Sequence, residues 1–208
     1  DLHSFPTRRS SDLEPDDKLT YQRWERQVRL LSRAEDFMRE VGLEHPARPV
    51  PLKFAIPLLQ AASLEDDNEL QDRWVRLLVN AVDPSSAVSI RRAFIDILEN
   101  LGSLEVRILD TIYAHPFEEM RLRGVYTDDL PASAAIVLDE PETPAVPISS
   151  EIELALANLA RLGCISTPTT WGGSEVFMYV LPTLLGKTLV EACTLRARLP
   201  VLDRKSVV

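Results

Sequence analysis

His45, His115, Cys164, Cys193, the acidic run Glu65-Asp66-Asp67-Asn68-Glu69 and the pair Gly172-Gly173 are the side chains whose types could carry chemistry. A histidine beside a cysteine would supply a base and a nucleophile. However, His45 sits among Pro46, Pro49 and Pro51, and His115 directly precedes Pro116, where a helix end and its dipole account for it. Cys164 and Cys193 stand in Gly-Cys-Ile and Ala-Cys-Thr, contexts of small buried hydrophobes rather than of an activated thiolate. The acidic run has enough carboxylates for a divalent cation but lacks the glycine and alternating ligands of a calcium loop. Placed ahead of an amphipathic stretch, it reads as a helix cap. Gly172-Gly173 follows Trp171 and belongs to neither a phosphate-loop nor a dinucleotide pattern, so it reads as a hairpin turn. The expectation is therefore no catalytic residue, no cofactor-binding residue and no metal ligand: a protein that is not an enzyme and carries no cofactor.

The elements that would hold these residues are mostly helical. Tyr21, Trp24, Val28, Leu31, Met38 and Val41 recur at helical intervals and predict one amphipathic helix over 17–41. Arg23, Arg26, Arg29, Arg33 and Arg39 are expected on its solvated face, paired with nearby acids. Three prolines over 44–51 predict an extended link. Pro57 predicts that the next helix, over 52–62, kinks or starts late near Ile56. Residues 63–84 predict the best-defined helix, with Ser63 as N-cap, Asp66, Asp67 and Glu69 in its first turn, and Leu70, Trp74, Leu77, Leu78 and Ala81 inward. A helix over 88–101 turns Ile90, Phe94, Ile97, Leu98 and Leu101 to the core. Ser103 is expected to cap another, running to Tyr113 and stopped by Pro116.

Residues 117–147 are long, acidic and proline-bearing; 127–137 is read as a short helix and 138–147 as a mobile loop. A capped helix follows over 149–162. Two β-like runs, 164–167 and 176–181, come next, and then a last helix from Pro182 or Thr183 to about Leu199. The fold class expected is mainly α: a helical segment over 14–101, then a winged-helix-like α+β module over 102–202 with a two-stranded hairpin.

Both ends are set apart from this reading. Residues 1–13 and 203–208 resemble the translation of a sequencing adapter, and 1–13 are expected to be disordered rather than a basic arm gripping phosphate through Arg8 and Arg9. The whole chain carries 23 Lys plus Arg and 32 Asp plus Glu, a net charge of −9. Setting the flanks aside removes four cations and three anions, so the remainder is one unit more acidic. Such a surface is soluble and repels nucleic acid and anionic lipid. No run approaches the ~18 apolar residues of a membrane span. With two cysteines and no disulfide framework, the expected compartment is reducing, hence cytoplasmic.

YQRWERQVRLLSRAEDFMREVGL, PVPLKFAIPLLQAASLEDDNELQDRWVRLLVNAVDP, AFIDILENLGSLEVRILDTIY, LANLARLGCI and YVLPTLLGKTLVEAC together resemble the abortive-infection alpha family over nearly all of 14–193. ASLEDDNELQDRWVRLLVNA is the most specific part. The resemblance implies a role in bacterial phage defence, in which an infected cell stops growing or dies before phage spreads, and brings no catalytic residues to transfer. The expected partner is another protein or a second copy. The alternative is a winged-helix DNA-binding transcriptional regulator. Against it, the helix over 149–162 sets Glu151 and Glu153 against Arg161, and the wing over 164–181 has no Lys or Arg. A specific DNA site draws on about 6–10 phosphate contacts, so nucleic acid is an unlikely partner on charge alone.

Overall fold

A computed structural model describes residues 15–138, 148–168 and 177–195. The adapter-like flanks with Arg8 and Arg9, the loop beyond residue 138 and the Trp171-Gly172-Gly173 turn lie outside the described residues. The last helix stops at Ala192, with Cys193 as its C-cap, rather than running to about Leu199. The first half holds α1 (Pro15–Glu40), α2 (Leu52–Ala62), α3 (Asn68–Val82) and α4 (Arg92–Leu98). The second holds α5 (Ser103–Tyr113), α6 (Phe117–Arg123), β1 (Val125–Tyr126), α7 (Ser150–Arg161), β2 (Ile165–Ser166), β3 (Tyr179–Pro182) and α8 (Leu184–Ala192). The class is mainly α with a small antiparallel sheet, as expected. The hairpin, however, is joined by a third strand, in the order β1-β3-β2. Val125 pairs with Val180, and Ile165 with Pro182. Two residues of β1 are too few to show a period of two, which is why the spacing misses it.

α3 is the central element. Leu70, Trp74, Val75, Leu77, Val79, Ala81 and Val82 are all buried, and so are Gln71, Arg73 and Asn80. Its cap is not Ser63, which instead closes α2, its hydroxyl donating to Gln60 O at 2.7 Å. Asp67 is the N-cap, its Oδ1 accepting from Glu69 N at 2.8 Å and Leu70 N at 3.0 Å. Glu65 Oε1 accepts from Asp66 N and Asp67 N, both at 3.0 Å, so two acids of the run, Glu65 and Asp67, serve backbone amides at and just before the start of the helix. Ser103 likewise does not cap its own helix: Gly102 takes that place, with its N–H donating to Glu105 Oε2. The Ser103 hydroxyl donates to Asp67 Oδ2 at 2.6 Å and ties the start of α5 to the start of α3.

Other expectations shift by a turn. α2 begins at Leu52 rather than near Ile56, because Pro51 O accepts from Phe54 N and Ala55 N and leaves Pro57 inside the helix. α4 begins at Arg92, not at 88. The segment 127–137 is not helical: it carries turns and a single bridge from Val125 to Ile136, while the helix lies earlier, in α6. α7 is capped by Ser149 as expected. It ends in a Schellman motif at Gly163, whose φ of 74° suits glycine.

α1 shows the largest departure. Leu30 and Ala34 are buried, with Phe37 half-buried, and these face α3; the row Tyr21, Trp24, Val28 and Leu31 is between 46% and 49% exposed. The arginine face is only partly solvated. Arg26 donates to Leu64 O at 3.0 Å, and Arg33 pairs with Asp72 of α3. Among the described residues no helix is long and apolar enough to cross a membrane.

The Asp67 carboxyl is held below its ordinary value, first by the Ser103 hydroxyl and then by the Leu70 amide. A depressed carboxylate stabilises the fold above its unfolded pKa, and that contribution fades as pH falls through the folded value. Asp67→Ala is expected to cost about 1–2 kcal/mol at neutral pH, read by urea denaturation, with the difference from the parent shrinking in acid. Asp66→Ala, whose carboxylate takes no part in the cap, is expected to change little.

Candidate functional site

The groups that chemistry would need are placed apart or walled in. His115 follows α5, its Nε2 2.9 Å from Ala134 O, so that nitrogen carries the hydrogen and ties the helix end to the following loop. His45 lines a surface groove beside α1. Cys164 and Cys193 are free and buried, and burial pushes each thiol up to about 12. Arg73 and Arg76 pull Cys193 the other way without overcoming burial. Among the described residues no three His, Cys, Asp or Glu side chains converge as a metal site would require.

Two polar clusters hold the halves together. Arg73 of α3 pairs with Asp110 of α5, and Asn80 Nδ2 donates to Ala192 O at 2.7 Å and Thr194 O at 3.1 Å. Asn80 thereby caps the end of α8 from another helix. In the second cluster Tyr113 of α5 reaches the start of α8. Its hydroxyl donates to Cys164 O at 2.5 Å and accepts from Thr183 N at 3.0 Å, and burial drives its pKa upward. Thr183 caps α8 through Gly186 N at 3.1 Å. A Cβ on Gly186 would collide with the Tyr113 hydroxyl and with Cys164 O. The glycine of LPTLLGK is thus a close-approach site, with no room for a side chain.

What remains accessible is apolar surface. Tyr21, Trp24, Val28 and Leu31 line one face of α1, with Tyr21 and Trp24 in ring contact at 5.9 Å between centroids. The row runs into a groove of about 750 Å³ lined by Leu31, Met38, Leu43, Leu78 and Val82, with Glu35 and Glu44 on its walls. Four large hydrophobes in a row, half exposed beside a groove, are more than the scattered apolar residues of an ordinary surface. The α1 spacing was visible in the sequence; its exposure was not, because the same period describes a core-facing stripe.

The helix α7 is the element that a DNA-binding reading would place on a duplex. Its only basic side chain, Arg161, is bonded to Asn158 Oδ1 at 2.8 Å. Leu154 stands 73% exposed beside Glu151 and Glu153. That face offers phosphate little.

A family model described as abortive infection alpha matches residues 25–193. No curated protein matches, and no solved structure does.

Asn80→Ala is expected to lower stability by about 1–3 kcal/mol, since it strips the buried end of α8 of its donor; chemical denaturation measures it. Both thiols are expected to resist a thiol reagent at neutral pH in the native protein and to react together once denaturant is added. Fast native labelling of either would contradict their burial.

Proposed function

Since the chain belongs to the abortive infection alpha family, we propose that it is a non-catalytic component of bacterial phage defence, acting in the cytoplasm by contact with another protein or with itself. The observation that carries this reading is the half-exposed row Tyr21, Trp24, Val28 and Leu31 running into the groove beside α1. Water around four such side chains is released when a partner covers them, which supplies affinity without any reaction. Of the side chains suited to catalysis, Glu65 and Asp67 are committed to amides, His115 to a carbonyl and both thiols to the interior, while His45 lies exposed at the groove.

The reading is tested in a culture challenged with phage. Cells carrying the gene are expected to release fewer phage than cells lacking it, and equal yields would count strongly against a defence role. Val28→Asp is expected to abolish protection while leaving the circular dichroism spectrum unchanged, because Val28 stands outside the core. A mobility-shift assay with duplex DNA at low ionic strength is expected to show no complex. A salt-sensitive shift would favour a transcriptional regulator instead.

A further inference from the structure

We propose that α1 is a self-association element whose partner is a second copy of the same helix, packed antiparallel across a two-fold axis. The inference rests on the contact reading above and names the partner. Tyr21, Trp24, Val28, Leu31 and Met38 follow one another by three, four, three and seven residues, the seam of a two-helix coiled coil, broken only by Glu35. At 100° per residue these side chains up to Leu31 stand roughly 100–180° around the helix from Leu30, which faces the core. The seam is therefore a second apolar face, additional to the one that holds α1 on α3.

The two ends of the seam differ, and the difference sets the direction of pairing. At the N-terminal end every residue over 17–25 is exposed, so the first turns of α1 overhang the body. At the other end Leu31 and Met38 line the groove. A parallel pair would lay overhang on overhang and leave both grooves open. An antiparallel pair with Trp24 opposite Val28 of the second copy sets Tyr21 opposite Leu31 and lays each overhang along the other copy's groove.

Charge agrees with that register. Glu25 and Arg29 of α1 already pair at 3.5 Å on the flank of the seam. The two-fold brings this pair against its symmetry mate, making a ring of four alternating charges. The same register carries Lys18 of the overhang toward Glu35 and Glu44 at the groove of the second copy. One surface thus complements itself, as an isologous interface must. Aromatic side chains contribute ~150–250 Å² each when fully covered. Two half-exposed aromatic and two half-exposed aliphatic side chains per copy, doubled by symmetry and joined by the groove, approach the ~1,200 Å² of a stable interface.

Sedimentation equilibrium of the full chain from about 1 to 100 µM tests the pairing. A dimer is expected, and Trp24→Glu is expected to give a folded monomer with unchanged circular dichroism. Glu25→Arg or Arg29→Glu alone places like charges around the axis and is expected to weaken the dimer by about tenfold. The combined swap rebuilds an alternating ring and is expected to restore most of the affinity. A parent chain that stays monomeric, a dimer that survives Trp24→Glu, or a combined swap that fails to recover would each overturn the proposal. Oligomeric state is read on the purified chain, so a monomer overturns self-pairing alone, whereas failure of the contact reading appears in the phage yield.

Discussion

Burying α3 between the two halves takes Arg73 and Asn80 away from water, and the structure depends on what the second half supplies to them. Asp110 pairs with the guanidinium, and the closing carbonyls of α8 accept from the Asn80 amide. An unpaired charge or amide at this depth would cost several kcal/mol, so α5 and α8 are held in register with α3 rather than merely resting against it. Asp67 adds a third tie, serving its own helix through two amides and α5 through Ser103. The stretch ASLEDDNELQDRWVRLLVNA, which carries the strongest family resemblance, contains all three of these residues. Its specificity has a physical content: it is the segment whose polar side chains must meet partners from distant parts of the chain.

With α3 so enclosed, α1 can bury one face against it and no more. Leu30, Ala34 and Phe37 take that face, Arg76 of α3 stacks over the Phe37 ring at 5.5 Å, and Arg33 pairs with Asp72. The row from Tyr21 to Leu31 is left outside, and it adjoins the groove where α1 and α3 part. One face of the helix is thereby packed and another left as exposed apolar surface. A substitution on one need not disturb the other.

The fold was legible where its signals are local. Ser149 as a cap, Gly163 as a stop and the helix between them come from groups within a few residues of one another. Asp67 belongs to the acidic start that the sequence shows for its helix, although the spacing points to Ser63 as the cap. A serine ahead of an apolar run satisfies the same rule whether it closes one helix or opens the next. Ser103 shows the limit again: its hydroxyl prefers a carboxylate on another helix to an amide on its own. β1 and α6 were missed because two residues cannot display alternation and seven barely display a helical face.

The sequence by itself determined most of the helical stretches, the acidic start of α3 and membership of the abortive infection alpha family. Tertiary structure alone decided which of two apolar rows on α1 is buried, and which distant carbonyls Asn80 would meet. A helical period states that a face is apolar without stating what lies opposite. Both rows satisfy it, and the choice between them follows from the shape and charge that α3 presents once α5 and α8 have closed around it.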